Sequence, residues 1–396
     1  MTGVEAWDGR PVLREAPRGP GDPWLHHYYE QYRPQIFGNG DQLRIVVLLG
    51  SADISGGSYV IFQHAMYWKL HGADVTIATM VPHTSVGNHW HPALTELRFT
   101  SVEDLGDEVY DVVVATWWRT VYELPKVRAR HALYFVQSEE ARFYAVGDDQ
   151  WAAPLAELTY RFDLPMVTIT TWLQAFLAFE HGRPSFLARN GVDKNRYQPF
   201  GPVVAARPAE GLRVLVEGPI DAPMKNVPDS VELARKGGAD EVWLMTSSPV
   251  SEFPGVDRVL SRVPIDHTGA VYRSCDVLLK LSRVEGMYGP PLEMFHCGGT
   301  VVTYDVTGHE EYVEDGVNGL VVPMDDRDGV VSAIARLKQS AELLRELKYG
   351  AARTAARWPD WEQSCREFWS VVRTLARRPA PDKLTTMLAI RGAGVA

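Results

Sequence analysis

Two glutamates eight positions apart, Glu285 and Glu293, bracket the run Gly286-Met287-Tyr288-Gly289-Pro290-Pro291-Leu292. Glu285 closes a loop after an apolar, strand-like segment. Pro290-Pro291 suits the first turn of a helix, which puts Glu293 inside that helix. Glycines in the loop let backbone amides approach an anion, and a helix start adds the positive end of its dipole. The pattern suits a diphosphate held around Gly286, Met287, Tyr288 and Gly289. A carboxylate one to two turns into the helix can accept hydrogen bonds from ribose hydroxyls, the part Glu293 is given, while Glu285 can meet a sugar at the loop. Taken alone, two glutamates at this spacing are also what a solvated helix surface carries.

Other clusters carry chemistry of their own. Trp117-Trp118-Arg119 follows YDVVVAT, so two flat rings and a guanidinium fall at a strand's carboxyl end. They suit stacking on an apolar or sugar acceptor, with core packing as the competing reading. His83, His89, Trp90 and His91 share the loop after the second strand. His89 and Trp90 are assigned to the acceptor, with plain loop surface as the alternative. The His-Trp-His run invites a metal, but nothing else supplies well-spaced ligands, so no metal and no resident cofactor is expected. Cys275, Cys297 and Cys365 show no CxxC spacing and read as buried free thiols, which fits a cytoplasmic location.

These residues need a scaffold that lines up strand ends. LRIVVLLG from Leu43, then a turn ADISGGS, a helical YVIFQHAMYWKLHG and a strand DVTIATM make a βαβ unit. Further buried strands are expected at 110–116, 131–136, 166–170 and 186–192. After a proline-rich stretch the alternation restarts, with strands at 212–218, 240–246, 256–263, 276–282, 300–305 and 319–323. From Arg327 to about Arg378 the pattern is two or three amphipathic helices, broken near Trp358-Pro359. The fold class is therefore α/β: two successive, Rossmann-like, doubly wound domains facing a central cleft. The boundaries read as an N-terminal extension over 1–42, a first Rossmann-like domain over 43–197, a linker over 198–211, a second over 212–358, and a tail over 359–396.

The block Glu285-GMYGPPL-Glu293, then Cys297-Gly298-Gly299-Thr300-Val301-Val302, then Gly308-His309-Glu310-Glu311-Tyr312-Val313-Glu314-Asp315-Gly316-Val317-Asn318-Gly319-Leu320, resembles the retaining, family-4-type glycosyltransferases of the GT-B fold. A weaker likeness runs from Leu43 to about Trp369, and it implies that the first domain is the acceptor side, the second the nucleotide-sugar donor side, and that the helix of the tail crosses back to the first domain. The resemblance implies transfer of a sugar from a nucleotide donor to a hydroxyl with retention, without a metal or a covalent enzyme intermediate. It implies that Gly56 and Gly57 form the glycine turn by which the first domain approaches the donor, and that Lys225 binds the donor phosphates. The family places Arg after the strand glycine where this chain has Gly218-Pro219, so one phosphate cation is missing or comes from elsewhere, with Arg283 the candidate. Where many relatives carry His near the sugar, this chain has Gln137, followed by Glu139 or Glu140 to orient the acceptor hydroxyl or to cap a helix. The Tyr-Phe-Val-Gln…Glu run is similar to bacterial relatives acting on deoxysugars and points to a dTDP-6-deoxysugar donor, beside UDP- and GDP-linked ones. By the same resemblance the departing phosphate oxygen takes the acceptor's proton, so Gln137 need not titrate.

Composition bounds the partners. The 396 residues are 45% hydrophobic and 23% charged, with 40 Lys+Arg against 50 Asp+Glu and a formal charge of -10. That balance argues against nucleic acid or an anionic membrane. A mean hydropathy of -0.17 and no run of about 20 apolar residues argue against a membrane span. The N-terminus lacks the pattern of a signal peptide. The expected partners are a nucleotide sugar and a small-molecule or glycan acceptor. Two competing readings use the same residues: a nucleotide-sugar epimerase or hydrolase of this fold, and a catalytically weak nucleotide-sugar-binding subunit.

Overall fold

The computed structural model describes residues 42–81, 90–144, 149–381 and 384–394. The expected extension falls outside them but for its last residue, as do His83 and His89. The described residues form two compact units, one of 42–191 with 361–394 and one of 192–360.

In the first unit, β1 (Arg44–Leu49), α1 (Gly56–Leu70), β2 (Asp74–Thr79), the short α2 (Ala93–Glu96), β3 (Arg98–Ser101), β4 (Val109–Ala115), α3 (Trp118–Glu123), β5 (Arg128–Val136), α4 (Ala152–Thr159), β6 (Met166–Thr168), α5 (Thr171–His181) and β7 (Phe186–Leu187) follow in order. The strands pair in parallel as β3-β2-β1-β4-β5-β6-β7. Ile45 to Leu49 are all buried, as a continuous apolar run must be when both sheet faces are covered. The Ser55 hydroxyl caps α1 by accepting from the Ser58 amide at 3.0 Å.

The second unit holds β8 (Arg213–Glu217), α6 (Val227–Lys236), β9 (Glu241–Thr246), β10 (Arg258–Ser261), α7 (Ile265–Ser274), β11 (Val277–Lys280), α8 (Pro290–His296), β12 (Thr300–Tyr304), β13 (Gly319–Val322), α9 (Arg327–Gln339) and α10 (Ala341–Arg357). Its parallel sheet runs β10-β9-β8-β11-β12-β13, with Val214, Val216, Leu244, Leu279 and Val302 in its core. The segment expected as a linker over 198–211 is strapped onto this unit. Arg273 Nε donates to the Pro202 carbonyl at 2.8 Å, and Arg207 reaches the Gly298 and Cys297 carbonyls at 2.8 and 2.9 Å. The chain passes between units at Gly191/Val192 instead, and again at Asp360/Trp361. Proline content marked an extended segment, but extended backbone can pack as well as link.

After Asp360 come α11 (Trp361–Ala376) and α12 (Leu384–Gly394), both in the first unit. Trp361 Nε1 donates to the Tyr59 hydroxyl at 3.1 Å, and the Phe368 ring lies 5.1 Å from Trp68 and 4.7 Å from Phe135. The aromatic stripe of α11 is thus packing. Both sheets reverse their winding beside the first strand, between β1 and β4 and between β8 and β11. Ligands of doubly wound sheets sit beyond the strand ends at such points.

Candidate functional site

At the second unit's switch point, the loop after β8 carries Lys225 and the loop after β11 carries Glu285. Gly218 has φ +145, and a Cβ there would meet the Lys225 Cβ at 3.3 Å, so glycine lets the loop fold tightly enough to place that lysine. Lys225 Nζ lies 2.7 Å from Glu285 Oε1. The Arg283 amide donates to the Met224 carbonyl at 2.8 Å, which ties the two loops together. One layer deeper, Lys280 Nζ lies 2.5 Å from Glu217 Oε2 and donates to the Glu217 carbonyl at 3.1 Å. Glu285 is buried, which by itself raises its pKa. The charges of Lys225 and then Lys280 outweigh this, so its carboxyl ends below the usual glutamate value.

The loop after Glu285 leads into α8 with prolines at its first two positions. Neither has an N–H, so this helix start offers fewer donors than most. Tyr288 itself points inward. Its hydroxyl shares a 2.8 Å hydrogen bond with Thr303 Oγ1, and the Tyr312 hydroxyl donates to its carbonyl. Met287 is buried as well. Glu293 stays near the loop: a Cβ on Gly289 would lie 3.6 Å from Glu293 Oε1. Burial pushes the Glu293 carboxyl up to about 7, against hydrogen bonds from the Tyr272 and Tyr197 hydroxyls. Arg283 is placed otherwise than expected. Its guanidinium pairs with Asp325 at 2.6 Å and faces Asp229 at 3.9 Å, so it does not supply the missing cation to the Lys225–Glu285 pair.

In the first unit the structure brings Gly57 and Gln137 together, for a Cβ on Gly57 would lie 3.6 Å from Gln137 Nε2, while Gly56 has open space beside it. Glu139 pairs with Arg142 at 2.6 Å; burial raises its carboxyl while Arg142 opposes the rise. Glu140 is fully enclosed. Its Oε2 accepts from the Trp118 amide at 2.7 Å and from the Tyr134 hydroxyl at 3.3 Å, so it caps α3, which precedes it in sequence, and faces no solvent. Burial pushes its carboxyl up to about 8. Of the aromatic pair, Trp118 is core, packed with Ala152 and Ala156, while half-buried Trp117 lies over Gly50. The Arg119 guanidinium stands 5.2, 5.0 and 5.6 Å from the rings of Trp117, Trp118 and Trp151. Trp90 donates from Nε1 to the Ala52 carbonyl at 3.0 Å and packs on Phe62, so it is fixed to the loop after β1. His91 is buried, its Nδ1 accepting from the Ala93 amide at 3.1 Å and its Nε2 3.1 Å from Gln63. Among the described residues no group of three or more His, Cys, Asp and Glu is placed to hold a metal ion.

The model for the family "Glycosyl transferases group 1" matches residues 228–340, a span that includes Lys280, Glu285 and Glu293. The O-antigen biosynthesis protein RfbC of Myxococcus xanthus is 29% identical over 262 residues, 64% of this chain and 20% of that protein. A phosphatidyl-myo-inositol mannosyltransferase of Mycolicibacterium smegmatis is 27% identical over 202 residues, 47% of this chain and 51% of its own length. The chain thus spans about a fifth and about a half of these two curated relatives. Among solved structures, sucrose-phosphate synthase of Thermosynechococcus elongatus superposes with a TM-score of 0.67 at 17% identity, covering 84% of this chain and 99% of that one. HepE of Anabaena in complex with UDP-glucose gives 0.66 at 14% identity, covering 84% and 100%. Over residues 228–340 the chain is similar to the group 1 glycosyltransferases. Its two parallel α/β sheets make the GT-B-like fold of that group.

The second unit's switch point also holds a buried charged pair that reading the sequence passed over, Lys280 with Glu217. Lys280 sat unnoticed in the apolar run DVLLKLS. The available signal was a lone charge at the carboxyl end of a buried strand, where an uncompensated ammonium is costly.

Proposed function

We propose that this glycosyltransferase moves a sugar from a nucleotide donor to an acceptor hydroxyl with retention at the anomeric carbon. The observation that carries the reading is the Lys225–Glu285 pair, 2.7 Å apart at the second unit's switch point, with Glu285 inside the span that the family model matches and Lys225 three residues before it. Lys225 and the amides of 286–289 stabilise the charge that grows on the departing diphosphate, which is where a protein lowers such a barrier most. Glu285 holds sugar hydroxyls and Glu293 the ribose. Gly57, Gln137 and Glu139 handle the acceptor, with Trp117, Arg119 and Trp90 around it. The departing phosphate oxygen takes the acceptor's proton, so no metal and no strongly basic side chain is required. HepE binds UDP-glucose and RfbC belongs to O-antigen biosynthesis, which supports a nucleotide-sugar donor and a saccharide acceptor.

Thermal denaturation with UDP, GDP and dTDP, free and sugar-linked, tests the donor half. At about a hundredfold over Kd a ligand adds about 2.7 kcal/mol, roughly 5–10 °C for a unit of this size. Lys225→Ala should abolish that shift. A full shift in Lys225→Ala, or none with any nucleotide in the unaltered protein, rejects the reading. NMR of the product's anomeric configuration then decides retention.

A further inference from the structure

Lys280 stands at the carboxyl end of β11, beside the switch point, with 3% of its side chain exposed. Desolvation works to strip its proton. The charges of Glu217, Glu285 and Glu293 more than offset this, so the ammonium is retained. Two of its bonds go to Glu217, at 2.5 and 3.1 Å. Glu285, five residues on in the loop after β11, therefore feels two cations, Lys225 in contact with it and Lys280 from the strand end.

That arrangement bears on how a diphosphate is bound. The Lys225 ammonium rests on Glu285 at 2.7 Å, and a diphosphate bound by Lys225 has to draw it away. The move leaves a carboxylate that is only 7% exposed without its nearest partner, a costly state for a buried charge. Of the neighbouring described positions, Gly218-Pro219 carries no cation and the Arg283 guanidinium is engaged by Asp325, which leaves the neutral Ser282 hydroxyl as a donor to Glu285. We propose that Lys280 is a positioning residue of the donor site, compensating Glu285 so that Lys225 can leave it for the donor's diphosphate. The inference rests on the donor reading above and adds a residue that reading does not use.

Calorimetric titration with UDP, GDP and dTDP isolates the charge effect, because these probes carry no sugar for Glu285 to hold. Lys280→Met alone would strand the Glu217 carboxylate, so it is paired with Glu217→Gln. The neutral pair should weaken the nucleoside diphosphate about tenfold, the equivalent of one pKa unit. In a Glu285→Gln background the same pair should change affinity by less than about twofold, the non-additivity expected of residues acting through one another. The swapped pair Glu217→Lys/Lys280→Glu keeps an ion pair between the strands but sets a carboxylate beside Glu285, and should bind more weakly still. Unchanged affinity in the neutral or the swapped pair overturns the proposal, as does an equal loss with and without Glu285→Gln. If the unaltered protein binds none of the three nucleotides, the donor reading itself fails and takes this inference with it. Binding by the unaltered protein with an inert Lys280 pair defeats this inference alone.

Discussion

Glu140 and His64 are buried in the same unit and respond to pH in opposite senses. Burial lifts Glu140 from 4.5 to about 8, against hydrogen bonds from Trp118 and Tyr134, and lowers His64 from 6.5 to about 3. Between pH 4.5 and 8 the native state keeps a proton on Glu140 that the unfolded chain has lost, so stability falls as pH rises through that window. Between pH 3 and 6.5 the unfolded chain holds a proton on His64 that the native state refuses, so stability rises with pH there. The two slopes cancel from 4.5 to 6.5. From 6.5 to 8 Glu140 acts alone, at about 1.4 kcal/mol per pH unit, or about 2 kcal/mol in all. Denaturant unfolding of the first unit should therefore weaken from pH 6.5 to 8 in the parent protein and hold level in Glu140→Gln. His64→Leu should instead gain stability as pH falls from 6.5 to 4.5. A parent protein of constant stability from 6.5 to 8 would show that Glu140 is not held protonated. None of this was legible in the sequence, where Glu139 and Glu140 looked interchangeable; only the fold shows which of two neighbouring carboxylates is enclosed and which is paired with Arg142.

Elements were far easier to read than side chains. The apolar runs at 43–50, 110–116, 131–136 and 276–282 each hold a strand, because strands covered on both faces must be apolar throughout. Half-exposed β3, Arg-Phe-Thr-Ser, was missed because a sheet-edge strand with one wet face lacks that signature. The glutamates and loop glycines were found by spacing, whereas the pairing of Arg283 with Asp325 joins residues 42 positions apart that no local pattern relates. The Gly308–Leu320 block illustrates the same limit: its role in the structure is to clamp a loop to a helix. Asn318 Nδ2 donates to the Tyr312 carbonyl at 2.7 Å and to Thr354 Oγ1 at 2.9 Å, and its Oδ1 accepts from the Glu314 amide at 2.8 Å. Gly350 in α10 permits the contact, since a Cβ there would collide with the Val317 carbonyl. Ala is normally the better helix residue. Gly350→Ala should nonetheless destabilise the second unit by about 1–3 kcal/mol, the usual range for overpacking. An unchanged or higher melting temperature would mean that the loop and helix can separate at little cost.

Each unit of the molecule has its own sheet, but among the described residues only one is continuous in sequence. The second unit uses 192–360, while the first needs 361–394 as well. In the first unit His64, Trp68 and Phe135 close on Phe368, with ring centroids at 4.9, 5.1 and 4.7 Å. A ring fully buried among three others cannot be lost without leaving a cavity, and Phe→Ala at such a site costs about 3–5 kcal/mol. Phe368 lies far along the chain from β1, yet the first unit should bear the whole cost. Phe368→Ala should therefore split thermal unfolding into two steps. The earlier step should report the first unit and follow the pH dependence set by Glu140. The later step should keep the parent protein's midpoint and remain the one raised by nucleoside diphosphate, because Lys225 and Glu285 belong to the continuous unit. Differential scanning calorimetry with and without UDP, GDP or dTDP separates the two. If one step persists at a lowered midpoint, the units unfold together and the core closed by α11 supports both sheets. If the nucleotide raises the earlier step instead, the donor site draws on the first unit for its stability.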